Sequence, residues 1–404
     1  MSKWRKKQLQ EIAFLKPTET LKKGDIAPNI PMANIKEFQR DVVKIVYGEF
    51  RGGTKFRNGD TLLAKITPCL ENGKTAFVNC LQEDEIGFGS TEFIVLRAKE
   101  NIDERFLYYL SISPEFRKQA ISLMEGTSGR KRVNENALKI SDFLIPDLEE
   151  QRKIANILSA IDDKIQINNQ INQELEAMAK TLYDYWFVQF DFPDQNGKPY
   201  KSSGGKMVYN PELKREIPEG WGVENLFDIA DVQYGYPFST DYFNSTGEGV
   251  PVIRIRDILG NDITNYSTEE EVEDKYKINV GDVLIGMDGN FHMNYWIKEN
   301  CYLNQRVVKV NSDKLPNMVL KYQIEPFIKL REKSVSRTTV GHLSDKDLKA
   351  INVILPKDKY LSSIFEKFES ILENIIINQQ QNQELTQLRD WLLPMLMNGQ
   401  VKVE

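Results

Sequence analysis

One stretch limits what this chain can fold into more than any other: residues 151–186, QRKIANILSAIDDKIQINNQINQELEAMAKTLYDYW. Ile154, Leu158, Ile161, Ile165, Leu175, Ala179, Leu182 and Trp186 fall four and three residues apart, with Asn168 and Asn172 filling the missing steps. That is a heptad seam on one long helix, uninterrupted by Pro or Gly. The seam recurs 210 residues later as Ile364, Phe368, Ile371, Ile375, Asn378, Asn382, Leu385, Arg389, Leu392 and Leu396, and INNQINQEL (167–175) agrees with INQQQNQEL (377–385) at seven of nine positions. Two copies of one long helix, each behind its own globular segment, mark a duplicated half-molecule.

Duplication predicts an antiparallel helix pair about a pseudo-twofold axis, with the globular segments at its two ends. In a pair centred near Gln170 and Gln380, Asn168 is expected to face Asn382 and Asn172 to face Asn378. Buried amides satisfy one another in a single register, so they would select it at some cost in stability. The alternative is that these Asn lie on a solvated flank of the seam.

Residues 1–150 read as α+β. Short β-rich runs (Val42–Tyr47, Thr61–Ile66, Thr75–Asn79, Glu92–Leu96) are bounded by Gly52-Gly53, Asn58-Gly59-Asp60 and Asn72-Gly73, and one helix is expected over Glu104–Leu123. The first long helix occupies 151–190. Residues 191–220 are polar and rich in Pro and Gly, which predicts a linker rather than a core. Residues 221–358 repeat the first plan. Trp221, Leu226, Ile229 and Ala230 match Trp4, Leu9, Ile12 and Ala13 at a constant offset of 217, and Gly281-Asp282-Val283-Leu284 echoes Gly59-Asp60-Thr61-Leu62. The second helix and a tail fill 359–404, with Pro394 expected to end or kink the helix. The aromatic run Tyr183, Tyr185, Trp186, Phe187, Phe190 and Phe192 reads as packing the first helix onto its domain, or else as a partner-binding patch.

The chain's 404 residues suit two to three domains. No run of 18 apolar residues suggests a membrane span, and the basic start MSKWRKKQLQ lacks the apolar core of a signal peptide. Cys69, Cys80 and Cys301 are odd in number and widely spaced, which suits a reducing cytoplasm and gives no zinc pattern. The net charge of −6 argues against a free-standing nucleic-acid binder.

The chain resembles the specificity (S) subunit of type I restriction–modification systems. The resemblance rests on IPDLEEQRKI (145–154), the linker GKPYKSSGGKMV (197–208) leading into IPEGW (217–221), VPVIRIRDI (250–258), GDVLIGMDGN (281–290) and LRDWLLPMLMNG (388–399), and spans nearly the whole length. The second copy departs from it at LPKDKYLSSIF (355–365), which lacks the Glu-Glu-Gln of the first. The resemblance implies two mixed α/β target-recognition domains, 1–150 and 221–358, separated by two long antiparallel helices in a coiled coil. It implies a non-catalytic subunit whose domains each read one half of a split, asymmetric DNA site. The implied partners are double-stranded DNA, two adenine-methyltransferase (modification) subunits and restriction/translocase subunits. S-adenosylmethionine, ATP and Mg would belong to those partners, with no cofactor bound by this chain. The subunit could equally serve an orphan methylase. Helices of about 35 residues reach roughly 50 Å, a span of roughly 15 base pairs.

Basic residues near turns are the candidate DNA contacts: Arg51, Lys55, Arg57, Lys65, Lys74 and the cluster Arg130-Lys131-Arg132 in the first segment; Arg254, Arg256, Arg306, Arg331 and Arg337, with Thr338 and Thr339, in the second. Arg reads guanine with two hydrogen bonds, whereas Lys mostly meets phosphate; each is otherwise a solvated surface charge. Arg254 and Arg256 alternate with Ile253 and Ile255, which would put both guanidiniums on one strand face. Basic loops on an acidic body predict weak, salt-sensitive DNA binding by the isolated chain.

Two other classes remain open at this level, a stand-alone DNA-acting enzyme and a coiled-coil scaffold. Against the first, Asn210-Pro211-Glu212-Leu213 lacks the second Pro and the aromatic of an adenine-methyltransferase motif, and no G-x-x-x-x-G-K-[ST] phosphate loop exists. Asp147 with Asp162-Asp163-Lys164 formally resembles a nuclease pattern, but the latter three are expected on the polar side of a helix rather than converging on a metal. His292 and His342 have no metal or triad spacing and read as structural or DNA-facing. Against the scaffold stand two duplicated globular segments with divergent basic loops.

Overall fold

The computed structural model describes all residues except 1–3, 128, 335–340, 357–361 and 403–404. The chain divides into two units, one of residues 1–167 with 382–404 and the other of 168–381. The long helices Leu148–Tyr183 and Ser362–Met397, each of 36 residues, contribute to both units.

In the first unit, Arg5–Gln8 pairs antiparallel with Asp142–Ile145, the strand just before the first long helix. Between them lies an antiparallel sheet ordered Ala13–Leu15, Phe93–Ala98, Thr61–Ala64, Thr75–Phe77. The pleat sends alternate residues to opposite faces. Leu63, Phe77, Ile94 and Leu96 pack under the helix Glu104–Ile112, while Leu62, Ala76, Phe93 and Val95 meet Ile30 and Phe56 of a second sheet. Because both faces are covered, Thr61–Ala64 is wholly buried and reads in the sequence as a continuous apolar run. The second sheet, ordered Val46–Glu49, Ile26–Ile30, Gly87–Gly89, Thr54–Phe56, is mixed, its two central strands being parallel.

The second unit repeats this plan. Gly222–Asn225 pairs with Asn352–Leu355, and the register Gly222↔Leu355 is Arg5↔Ile145 moved by 217 on one strand and 210 on the other. Its central sheet runs Asp231–Tyr234, Val307–Asn311, Val283–Gly286, Met293–Tyr295, in the same order as its counterpart. The helix Asn317–Ser334 covers one face, and a five-stranded sheet holding the parallel pair Val250–Ile253 and Cys301–Leu303 covers the other. The matching turns into the central strands use Gly59 and Gly281 at φ +88° and +90°, a conformation glycine adopts without strain. The fold class is thus α+β, built twice.

Within each unit the two long helices run antiparallel. In the second unit Asn168 meets Gln381, and Asn172 meets Ile375 and Asn378. In the first unit Ile154 and Leu158 pack in one core with Leu393 and Leu396, and Asp162 meets Arg389.

Five expectations are corrected. The helix expected over Glu104–Leu123 is two, Glu104–Ile112 and Pro114–Ser122; Pro114 disfavours helix at the preceding residue, and Ser113, at ψ 147°, ends one helix and N-caps the next. The strand expected at Val42–Tyr47 forms later, at Val46–Glu49. The linker is folded: Met207–Asn210 and Arg215–Pro218 form a hairpin, Phe190, Phe192 and Ile217 are buried in the second unit's core, and Phe192 stacks between Tyr200 and Trp221. Of the two outcomes expected at Pro394, ending or kinking the helix, the first does not occur, since the helix continues to Met397. Asp162 is not on a polar face. It is 4% exposed, because Arg389 occupies a seam position and draws a carboxylate inward. Of the aromatic run, Trp186, Phe187, Phe190 and Phe192 are buried in the second unit's core around a π-helical turn, Asp184–Val188, while Tyr185 is 39% exposed.

Candidate nucleic-acid interface

The two units build the same junction where the loop after the central strand meets the loop before the short helices Glu135–Lys139 and Asp345–Lys349. In the first unit the Val133 amide donates to the Lys65 carbonyl (2.9 Å), the Thr67 amide to Lys131 (3.0 Å) and the Lys65 amide to Glu92 (2.9 Å). In the second, Leu343 donates to Met287 (2.7 Å), Gly289 to Gly341 (2.9 Å) and Met287 to Arg306 (3.0 Å). Single β-bridges join Ile66 to Arg132 and Asp288 to His342. These bonds equate Glu92 with Arg306, Arg132 with His342, and Ile66 with Asp288.

The backbone is shared and the side-chain charge is rearranged. In the first unit Arg132 grips Glu92 through two nitrogens (2.9 and 2.7 Å), and this hydrogen-bonded guanidinium holds the Glu92 carboxyl below its usual range. In the second unit the carboxylate has moved to Asp288, which lies 2.7 Å from His342 Nδ1 and 3.4 Å from Arg306. The side chains of Arg132, Arg306 and His342 are 49%, 53% and 46% exposed, open enough to meet an incoming ligand.

The remaining candidates sort by what they already touch. Arg130 and Lys131 are exposed and have no charge partner among the described residues. Arg256 is in the same state. Arg51 is paired with Glu49 (2.8 Å), and Arg57 is exposed, 3.8 Å from Glu19. Lys55 donates to the carbonyls of Glu19 and Leu21 and sits over the Phe50 ring. Lys65 is 15% exposed and bound to Glu135 (3.2 Å), and Lys74 reaches the Met32 carbonyl (3.3 Å). Arg331 pairs with Asp347 (3.2 Å). Arg337, Thr338 and Thr339 lie outside the described residues.

Arg254 and Arg256 do not share a strand face. The strand stops at Ile253, and Ile255–Asp257 is a 3-10 turn. Buried Asp257 causes the break by accepting the Arg254 amide (2.9 Å) and the Thr264 hydroxyl (2.5 Å), a local bond that competes with the ladder. Arg254 then donates to Thr264 (2.9 Å), and partial burial beside Arg256 lowers its pKa from the usual guanidinium value.

In the helix pair, the Asn172 side-chain carbonyl accepts from Asn378 (2.9 Å), and its amide donates to the Ile375 carbonyl (3.3 Å). Asn168 donates to Gln381 (2.8 Å), the neighbour of Asn382. Asn168 and Asn172 are 0% and 7% exposed, so the solvated-flank alternative does not describe them.

Asn210, in the near-match to a methyltransferase motif, accepts the amides of Glu212 and Leu213 (3.0 Å each) and shapes the hairpin turn. Among the described residues there is no group of three or more His, Cys, Asp or Glu able to hold a metal, and no helix long and apolar enough to cross a membrane. Sequence reading missed Glu92 and Asp288 as organisers of the junction. The usable signals were the offset of 222 set by Gly59/Gly281, which places Asp288 on Ile66, and the offset of 210 set by Leu138/Leu348, which places His342 on Arg132.

Comparison with known proteins places these features. A family model described as the type I restriction modification DNA specificity domain matches residues 1–177 and 218–387, the two halves of the duplication. The type I restriction enzyme MjaIX specificity subunit of Methanocaldococcus jannaschii is 28% identical over 319 residues, 76% of this chain and 71% of that protein. The HindI specificity subunit of Haemophilus influenzae is 23% identical over 447 residues, covering 94% and 93%. Among solved structures, the type I restriction–modification S subunit from M. genitalium superposes with a TM-score of 0.56 at 18% identity, covering 98% of this chain and 96% of that one.

Proposed function

The chain belongs to the type I restriction modification DNA specificity family, and from that membership we propose that it is the non-catalytic DNA-recognition subunit of a type I restriction–modification complex, each unit reading one half of a bipartite, asymmetric site. The observation that carries this reading is the junction described above, an identical backbone frame presenting Arg132 on Glu92 in one unit and Arg306 with His342 on Asp288 in the other. Two readers of different half-sites need a common way of meeting the duplex and different groups at the base edges.

In this reading Arg130, Lys131 and Arg256 meet phosphate or base directly, while Arg132, Arg306 and Arg331 must trade a carboxylate partner for DNA. Arg51 and Arg57 lie outside the junction, and Lys55, Lys65 and Lys74 support loops from within. The 36-residue helices, about 54 Å at 1.5 Å per residue, would set the gap between half-sites and dock two modification subunits, with restriction subunits joining to cut. The acidic chain leaves much of the phosphate contact to those subunits, which also bring S-adenosylmethionine, ATP and Mg. A cytoplasmic location goes with this role.

Methylome sequencing of a host expressing the chain with its modification subunit tests the proposal. The expected result is one bipartite adenine motif with a fixed gap, of which exchanging residues 1–150 changes only one half. An unchanged motif, or both halves changed, would overturn it.

A further inference from the structure

The duplication poses a problem that the Asn residues do not solve. At the offset of 210, Asn168 is equivalent to Asn378 and Asn172 to Asn382. The first long helix could therefore pair with the same helix of a second copy and offer the same amides. The apolar seam repeats too: Ile154/Ile364, Leu158/Phe368, Ile161/Ile371, Ile165/Ile375, Leu175/Leu385, Leu182/Leu392 and Trp186/Leu396. One seam position differs in polarity, Ala179 against Arg389.

In the first unit Arg389 Nη1 lies 2.9 Å from Asp162 Oδ1, and both side chains are 4% exposed. The Tyr109 hydroxyl donates to the other Asp162 oxygen (2.6 Å). Arg389 also reaches half-exposed Asp390, and Arg40, 5% exposed, holds neighbouring Asp163 (2.7 Å). The equivalents of Asp162 and Arg389 are Leu372 and Ala179, both buried in the apolar core of the second unit. The same helix contact is thus made with an ion pair in one unit and with hydrocarbon in the other.

We propose that the Asp162–Arg389 pair decides which helices may pair, admitting the first with the second and rejecting either with its own copy. A first–first pairing sets Asp162 opposite Ala179 and leaves its carboxylate with the Tyr109 hydroxyl but without its seam counter-charge. A second–second pairing sets Arg389 opposite Leu372. Removing one partner from a buried ion pair is strongly unfavourable, so each homotypic pairing is disfavoured on the order of a hundredfold or more per stranded charge. The Asn layer fixes register, and the ion pair fixes identity.

Full-length chains carrying two different affinity tags are denatured together, refolded at high concentration and cross-linked, and the helix-to-helix links in the doubly tagged fraction are mapped by mass spectrometry. Wild-type chains should show first–second links only. The variant D162L/R389A, which gives the first unit the chemistry of the second, should acquire first–first and second–second links at least tenfold above wild type. The charge exchange D162R/R389D should behave as wild type, and its cooperative melting reports that a substituted seam still folds. Homotypic links as frequent in wild type as in D162L/R389A, or absent from both, would overturn the proposal.

Discussion

Asp60 and Asp282 stand at one place in the two units and should respond oppositely to loss of charge. Each ends the tight turn into its central strand, accepting the amide three residues back, Arg57 (2.9 Å) or Asn279 (2.7 Å), and each is at most 1% exposed. Asp60 is gripped by Arg97 through two bonds of 2.7 Å. Among the described residues the one cation paired with Asp282 is Lys309 at 4.0 Å, and that ammonium is shared with Asp231 and the Lys277 carbonyl. Burial therefore dominates at Asp282 and pushes its carboxyl from 3.8 up to about 6, with Lys309 already opposing the rise. A carboxyl raised on folding contributes stability that is full below its unfolded value and lost as pH rises through about 6. At 1.36 kcal/mol per pH unit, ionising Asp282 costs the second unit about 3 kcal/mol by pH 8. D282N keeps the turn acceptor and removes the charge. It should stabilise the second unit by about 1–3 kcal/mol at pH 8 and leave it nearly unchanged near pH 4. D60N strips Arg97 of its bidentate partner, leaving Glu19 at 2.6 Å, and should cost the first unit about 3 kcal/mol. Urea unfolding followed by pulsed hydrogen exchange, read on peptides covering 61–64 and 283–286, separates the units. Equal losses for both variants at pH 8, or a pH-independent effect of D282N, would refute the reasoning.

The amide layer should show the asymmetry of buried hydrogen bonds. N172L or N378L alone strands an amide and should lower stability by about 1–3 kcal/mol, whereas N172L/N378L should melt at or above wild type in scanning calorimetry. In titrations of the assembled complex with DNA, R130A and K131A should each reduce the slope of log affinity against log salt by about 1 without altering the motif. R51A, which removes a charge already paired, should change the slope less. R306A should relax only the half-site read by the second unit and R132A only the other, each by about 1–3 kcal/mol, scored from methylation motifs. Relaxation of both halves by either variant would contradict independent reading.

The long helices were legible because a heptad seam is a property of one strand of sequence and needs no knowledge of its neighbours. The duplication was legible for the same reason, and its offsets make the two closing strand pairs equivalent, turning Arg5↔Ile145 into Gly222↔Leu355, but the pairing itself came from the fold. What failed was set by partners distant in sequence or by a local bond that overrides a pattern. Residues 191–220 have the composition of a linker, yet Phe192 and Ile217 find Trp221 and a core to enter. Ile253-Arg254-Ile255-Arg256 alternates like a strand, but Asp257, one residue past the pattern, takes the Arg254 amide and turns the chain.

The candidate interface was the least legible part, and the reason lies in how the charges are distributed. A single Arg in a loop carries no mark of whether its guanidinium is spent. Arg132 and Arg130 look alike in sequence, and only the fold sets Glu92 against the first and, among the described residues, no charge partner against the second. The duplication supplies what a single copy lacks. Once the bonds of Met287, Gly289 and Leu343 are seen to repeat those of Lys65, Thr67 and Val133, the junction becomes a fixed frame on which charge has moved from Glu92 to Asp288 and from Arg132 to Arg306, with His342 standing in the place of Arg132. A frame held constant while its ionic groups change places is better explained by selection for different ligands than by selection for stability, because a half-exposed ion pair of this kind contributes at most about 1 kcal/mol to folding.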